Sequence, residues 1–272
     1  MERDSRMAPL IISVFALYAR PEGNWLSIAT VVALMGDLGA DHQAVRSSIS
    51  RLKRRGVLVS EKRGGAAGYA LAPATQDVLA EGDVRIFERN RATLEDGWLL
   101  AAFSVPESQR DKRHEIRTSL TRLGFGTLNP GVWIAPATIA AEAKHTLERR
   151  GLDSYIDLFA GRYVTARELS EEVRSWWNLD ELAALYTSFL ASYQPALAEA
   201  RRSGLAPQRA FQLYLPMLTE WRRLPYRDPG LPLSLLPPAW KGESAATLFD
   251  ELDSQLRPLA REHALALIHR ER

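Results

Sequence analysis

The tightest constraint in this sequence lies between Ser27 and Ala72, where the apolar period changes from that of a helix to that of a strand across one glycine. Ser27 suits a helix N-cap, with Ile28, Val31, Val32 and Met35 as the buried stripe after it and Gly36 and Gly39 as the break. Asp41 suits the cap of the next helix, in which Val45, Ile49 and Leu52 recur at i, i+4 and i+7 and so face a core. Gly56 ends that helix. Val57 to Glu61 and Tyr69 to Ala72 then read as two short strands around a glycine-rich turn of Lys62, Arg63, Gly64, Gly65 and Gly68. Two helices joined by a short turn and followed by a small hairpin make a winged helix-turn-helix. A preceding helix is expected from Pro9 to Ala19, with the proline in its first turn, which completes a winged-helix domain over residues 1–74.

Charge gives this domain a partner. The formal charge is only +2, from 35 basic and 33 acidic residues, so affinity for a polyanion must come from clustering. Arg46, Arg51, Lys53, Arg54, Arg55, Lys62 and Arg63 face only Glu61 between positions 46 and 63, so the rest of the chain is net acidic. A helix of this kind has the width of a DNA major groove, where arginine pairs bidentately with guanine and serine or glutamine meets other base edges. His42, Gln43, Arg46, Ser47, Ser50, Arg51, Lys53 and Arg54 are therefore the candidate contacts to double-stranded DNA. Lys62 and Arg63 belong over the backbone or minor groove, adding affinity but little sequence information. The alternative is a non-catalytic adaptor whose winged helix docks protein, which predicts weak, sequence-insensitive binding to duplexes.

Residues 75–94 read as a semi-rigid linker helix with Val78, Leu79, Ile86 and Phe87 as partly buried contacts, weakened at Gly82. From Trp98 the order is a strand to Val105, a helix from Pro106 to Leu123, a hairpin around Asn129, Pro130 and Gly131, a helix from Ile139 to Arg150 and a strand from Tyr155 to Phe159. That βαββαβ order predicts a ferredoxin-like central domain over residues 95–166. Residues 167–272 are expected to be mostly helical, with one apolar stripe from Leu179 to Tyr193 and another from Leu248 to Leu259. Pro225, Pro229, Pro232, Pro237 and Pro238 mark a stiff loop between them. The fold class is thus α+β: an N-terminal winged helix-turn-helix, a central ferredoxin-like domain and a helical C-terminal domain.

The absence of cysteine removes disulfides, thiolate metal sites and cysteine nucleophiles, and fits a reducing cytoplasm. The apolar stretch from Met7 to Ala19 falls short of the ~20 residues a membrane span needs, and no later segment comes closer, so no membrane partner is expected. No phosphate-binding glycine loop, HExxH or GxSxG elbow occurs, so neither a catalytic residue, a cofactor nor a metal is assigned. The closest pair among His42, His114, His145, His263 and His269 is six apart, which gives no common metal-binding face; all but His42 are read as surface residues. His42, at the start of the basic helix, is placed to touch a phosphate or base. Trp176, Trp177 and Trp221 are candidate walls for an aromatic ligand, although core packing is the alternative for them and for Trp240, and Arg222, Arg223 and Arg227 are candidates for its phosphates.

Four segments carry a family resemblance: AVRSSISRLKRRGVL at 44–58, Trp98 to Pro106, GFGTLNPGVWIAP at 124–136, and FQLYLPMLTEWRRLPYRDPGLPLSLLPPAW at 211–240. The whole chain resembles the PaaX repressors, which control phenylacetic acid catabolism in bacteria. The resemblance implies a DNA-binding transcriptional repressor, a homodimer, released from its operator by an aryl-CoA thioester such as phenylacetyl-CoA. It places the recognition helix over His42 to Arg55, and an effector site is expected between the central and C-terminal regions. The central region resembles the Cas2 fold, in which an aspartate near the end of the first strand binds a metal. The matching segment here is Ala102-Phe103-Ser104-Val105-Pro106-Glu107, with Ser104 at that place. A neutral hydroxyl does not replace a carboxylate on a hard cation, which counts against the other alternative, a metal-dependent Cas2-like nuclease.

Overall fold

The computed structural model describes residues 2–88, 91–201 and 204–270, with side chains from Met7 onward. Residues 89 and 90 of the expected linker helix lie outside the described residues. The chain forms two compact units, one of Met1–Ile86, Phe189–Arg222 and Ala245–Arg272, the other of Phe87–Ser188 and Arg223–Ser244.

The first unit begins with α1 (Glu2–Val14), which runs on through a π-helical turn at Phe15–Ala19 and a 3-10 turn at Arg20–Glu22. Pro9 lies inside this helix and not in its first turn, because the helix starts in the charged residues before the apolar period becomes readable. Strand β1 (Trp25–Ser27) follows, and α2 (Ile28–Asp37) is capped by Ser27, whose Oγ accepts the Thr30 N–H at 2.9 Å. Helix α3 (His42–Arg54) is capped by Asp41, whose Oδ1 accepts the Gln43 and Ala44 N–H groups at 2.9 and 3.0 Å. Val45, Ile49 and Leu52 are buried, as their spacing requires.

Strands β2 (Leu58–Arg63) and β3 (Ala66–Leu71) form the wing, and β1 joins them in the order β1-β3-β2. Lys62 and Arg63, expected in the turn, are the last residues of β2, paired with Ala67 and Ala66. The turn itself is Gly64-Gly65, at φ of 55° and 84°, a backbone that side chains with a Cβ resist. Gly68, also expected in the turn, lies in β3 opposite Ser27, where a Cβ would come within 2.5 Å of the Trp25 indole. Helix α4 (Pro73–Phe87) is packed along its inner face, with Leu79 and Ile86 buried; Val78, expected to be partly buried, turns outward. Asp83 pairs with Arg20, which ties α4 to the end of α1's extension.

In the second unit, β4 (Trp98–Phe103), α5 (Arg110–Leu123), β5 (Gly126–Asn129), β6 (Val132–Pro136), α6 (Ala140–Arg149) and β7 (Ile156–Gly161) follow in the expected βαββαβ order. The sheet is antiparallel in the order β5-β6-β4-β7, which places the motif's first strand between its third and fourth, as in a ferredoxin-like fold. Pro106 precedes a 3-10 turn at Glu107–Gln109, so α5 begins later than expected. Leu99, Ala101, Ile116, Leu120, Trp133 and Leu147 fill the space between sheet and helices. Helix α7 (Leu169–Trp176) and the first part of α8 (Leu179–Ala200) complete the unit with the proline-rich segment. That segment is anchored by Asp228, which pairs with Arg91 at 3.0 Å and accepts the Tyr186 hydroxyl at 2.7 Å. Burial opposes the Arg91 charge, but Asp228 and Glu243 outweigh it and hold its pKa above the usual arginine value.

Helix α9 (Pro207–Trp221) and, from Ala245 on, α10 (Lys241–Arg270) belong to the first unit. Trp221 is fully buried there, stacked on Phe249 with ring centroids 4.5 Å apart and flanked by Phe189 at 5.0 Å. Its indole Nε1 donates to the Ile86 carbonyl at 3.4 Å, so the end of α4 and the C-terminal helices share one core.

Candidate nucleic-acid interface

The apolar stripe of α3 fixes what its other side can do. With Val45, Ile49 and Leu52 turned inward, His42, Gln43, Arg46, Ser47, Ser50, Lys53 and Arg54 are all exposed, and their spacing places them on the opposite face. Arg51 differs. It is half-buried and its Nη2 donates to Ser48 Oγ at 2.8 Å, so it braces the helix as well as bordering the face.

The wing's two basic residues also part company. Lys62 extends into solvent, whereas Arg63 folds back on the domain: Nε donates to Glu61 Oε1 at 2.6 Å, Nη1 donates to the Gly23 carbonyl at 2.9 Å, and the guanidinium lies 5.8 Å from the Trp25 ring centre. A charge held over an indole and against a carboxylate is partly satisfied before DNA arrives.

Sequence reasoning missed a set of contacts at the end of α2. Asp37, the last residue of α2, has Oδ1 bound by Gln208 Nε2 at 2.7 Å and Oδ2 by His263 Nε2 at 2.7 Å. Gln212 Nε2 donates to the Asp37 carbonyl at 2.9 Å. Further along α10, His269 lies 3.2 Å from Glu22, and Arg261 lies 3.8 Å from the same carboxylate. His263 is therefore half-buried and engaged, not a surface histidine. The available signal was Asp37 itself, since a carboxylate at a helix C-terminus opposes the macrodipole and asks for a partner.

The six candidate ligand residues do not form one cluster. Trp221 is enclosed in the first unit's core and has no surface to offer: it is fully buried, Phe249 stacks on it and the Ile86 carbonyl takes its N–H. Arg222 donates to Ser13 Oγ at 3.2 Å in the same unit. In the second unit Trp176 and Trp177 do come together, with Trp98 edge-on to Trp176 at 5.6 Å and Tyr163 at 4.9 Å. Trp177 Nε1 donates to the Gly124 carbonyl at 2.9 Å, and its ring lies so close to Gly126 that a Cβ there would be 2.7 Å away. An open depression of about 640 Å³ adjoins them, lined also by Arg174, Asn178, Asp180 and Pro237. Arg223 is exposed, and Arg227 is paired with Glu181.

Among the described residues no three His, Asp or Glu side chains gather as a metal would require. No helix among them is long and apolar enough to cross a membrane.

A winged helix whose third helix turns a polar, cationic face outward, carried with a ferredoxin-like domain, defines a transcription regulator of the winged-helix class. The chain belongs to the PaaX family. Residues 6–75 match the family's PaaX-like protein model, residues 91–194 the PaaX protein central Cas2-like domain, and residues 177–266 the PaaX-like protein C-terminal domain. The chain is 25% identical over 256 residues to the transcriptional repressor PaaX of Escherichia coli (strain K12), covering 92% of this chain and 80% of that protein. It also shares its fold with the uncharacterized protein Rv0674 from Mycobacterium tuberculosis, with a TM-score of 0.58 at 18% identity, covering 94% of this chain and 97% of the other.

Proposed function

We propose that this chain is a transcriptional repressor that reads operator DNA with α3 and is released by an aryl-CoA thioester such as phenylacetyl-CoA. The exposed face of α3, from His42 to Arg54, carries the first part of this reading. His42, Gln43, Arg46, Ser47 and Ser50 are assigned to base edges, and Lys53, Arg54 and Lys62 to phosphates. Arg51 and Arg63, each already bound within the protein, reach DNA only at the margin of the face. The name of the Escherichia coli relative supports repression as the output. A homodimer would set two copies of α3 about 34 Å apart on a two-fold symmetric operator.

For the effector, the depression beside Trp176 and Trp177 offers aromatic walls to an aryl group, with Arg174 on its rim and Arg223 and Arg227 as further cations for phosphates in the same unit. Trp221 and Arg222 take no part in this assignment. Release requires the effector to favour the arrangement that does not bind DNA, and a hundredfold loss of operator affinity corresponds to about 2.8 kcal/mol of differential binding. Catalysis is not part of the proposal, since Ser104 supplies no carboxylate at the end of β4.

The test is fluorescence anisotropy of a labelled duplex from upstream of the chain's own gene, against nonspecific competitor, with and without phenylacetyl-CoA. Tight binding reversed by the thioester is the expected result. Tight binding indifferent to it removes this effector, and absence of any specific binding at moderate salt overturns the repressor reading in favour of the adaptor.

A further inference from the structure

From the contacts around Asp37 we infer that this residue is a positioning residue for operator recognition: through it, α9 and α10 set the pose of the recognition helix. The inference rests on the repressor reading and assigns part of that function to residues remote from the DNA-facing surface.

Asp37 closes α2, and only Leu38 to Asp41 separate it from α3. Any shift of the Asp37 backbone is passed through that short turn to His42, Gln43 and Arg46, the part of α3 that enters a groove first. The end of a helix is ordinarily a soft place: its last carbonyls lack intrahelical donors and its dipole repels a carboxylate. Here both deficits are met by side chains from the C-terminal helices, one on the carbonyl and two on the carboxylate. Gln212 donates to the Asp37 carbonyl, Gln208 to Oδ1, and the His263 ring nitrogen engages Oδ2, at 2.9, 2.7 and 2.7 Å. Three contacts from two helices on one residue fix both its position and its orientation. Asp37 is only half-buried, so these contacts add little as burial, whereas three directional bonds on one residue restrict how it sits. The arrangement specifies a geometry.

The Ser13 hydroxyl, on α1, is shared by Thr219 of α9 at 2.8 Å and by Arg222, the C-cap of α9, at 3.2 Å, so α9 holds the first helix as well as the end of α2. The winged helix is thus gripped at its first helix and at its turn, while the DNA-facing side of α3 stays open.

The full-length chain, its Asp37→Ala, His263→Ala and His263→Gln variants, and a duplex enriched from a random-sequence library by the wild-type chain provide the test. Glutamine in place of His263 can still donate to Oδ2, so it serves as the conservative rescue. Expected is a fall in affinity for the enriched duplex of roughly tenfold in Asp37→Ala and His263→Ala, the scale of one hydrogen bond to a charged group. Binding to a scrambled duplex should stay within about twofold, because phosphate contacts do not need the exact pose. His263→Gln should recover most of the loss, with thermal melts confirming that each variant is folded at the assay temperature. If affinity for both duplexes falls together, if His263→Gln is as weak as His263→Ala, or if the enriched duplex is bound as by wild type, the positioning role is refuted while the repressor reading stands. If the wild-type chain enriches no sequence at all, the repressor reading fails and this inference with it.

Discussion

Asp41 performs two jobs that oppose each other when DNA binds, and substitution can separate them. Its Oδ1 accepts the Gln43 and Ala44 N–H groups at 2.9 and 3.0 Å, which satisfies two of the donors that the first turn of α3 leaves open. Its charge also faces the positive end of the helix, an interaction of about 0.3–1 kcal/mol. Asp41→Ala removes both and should lower stability by about 1 kcal/mol, with a range of roughly 0.5–2. For a unit of this size that corresponds to a fall of about 2–4 °C in Tm. Asp41→Asn keeps a capping oxygen and loses only the charge, so it should fall by less than half as much. On DNA the order changes, because the same carboxylate lies beside residues assigned to the groove and repels phosphate. Within a Debye length of about 10 Å at 0.1 M salt, removing it should tighten binding. Asp41→Asn is therefore expected to bind operator more tightly than wild type at low salt. Asp41→Ala should gain less, since a frayed first turn no longer presents His42 and Gln43 in order. Differential scanning calorimetry and a salt series of anisotropy titrations check both halves. An Asp41→Asn variant as unstable as Asp41→Ala would refute the capping argument, and one that binds more weakly than wild type at low salt would refute the electrostatic one.

Other expectations follow from the same geometry. Arg46→Ala should cost about 1–3 kcal/mol of operator binding and relax preference at one position per half-site, whereas Lys62→Ala should lower the log-log salt slope by about 0.9 without changing the preferred sequence; binding-site selection with each variant distinguishes the two. Tyr18 has a buried hydroxyl without a hydrogen-bond partner among the described residues, so Tyr18→Phe should leave stability at pH 7 unchanged or raise it by about 1 kcal/mol in urea titrations. Burial, against a smaller opposing pull from Arg257, also holds the Tyr18 phenol above the usual tyrosine range. The unfolded chain gives up this proton near pH 10 while the folded chain keeps it, so stability is intact below about pH 10 and falls above it, and Tyr18→Phe should flatten that alkaline loss. Gly126→Ala puts a Cβ 2.7 Å from the Trp177 ring, so it should displace that indole and lower stability by roughly 1–3 kcal/mol, visible as a shift in tryptophan emission.

Helices α2 and α3 were legible in the sequence because everything that defines them is local: a capping Ser27 or Asp41, a stripe of period 3.6, and a glycine after the end. The βαββαβ order was legible for the same reason. Strand β1 was not, since three residues are too few to establish a period, and its place in the sheet depends on pairing with β3 far along the chain. The wing turn was misplaced toward Lys62 and Arg63 because charge and turn signals overlap there, while the backbone bends only where two glycines accept positive φ. At the site, the outward face of α3 followed from the inward one. What did not follow was which basic side chains the protein uses for itself, because Arg63 depends on Gly23 and Trp25. Nor did His263, whose partner lies 226 residues away. Trp176 and Trp221 look alike in sequence, and only packing separates a residue beside an open depression from the centre of a core.

The first unit is assembled from the beginning and the end of the chain, and this sets an order of events during synthesis. Asp37 leaves the ribosome long before His263, with 226 residues still to be added. At about 5–20 residues per second that delay is roughly 11–45 seconds, ample for the winged helix to form locally and wait. Until α9 and α10 emerge, α1 has α2 and α3 to pack against but not α9, and Asp37, just before the turn to α3, lacks its three partners. A nascent or prematurely terminated chain can therefore carry the whole sequence of α3 and the wing while Asp37 still lacks the partners that α9 and α10 supply.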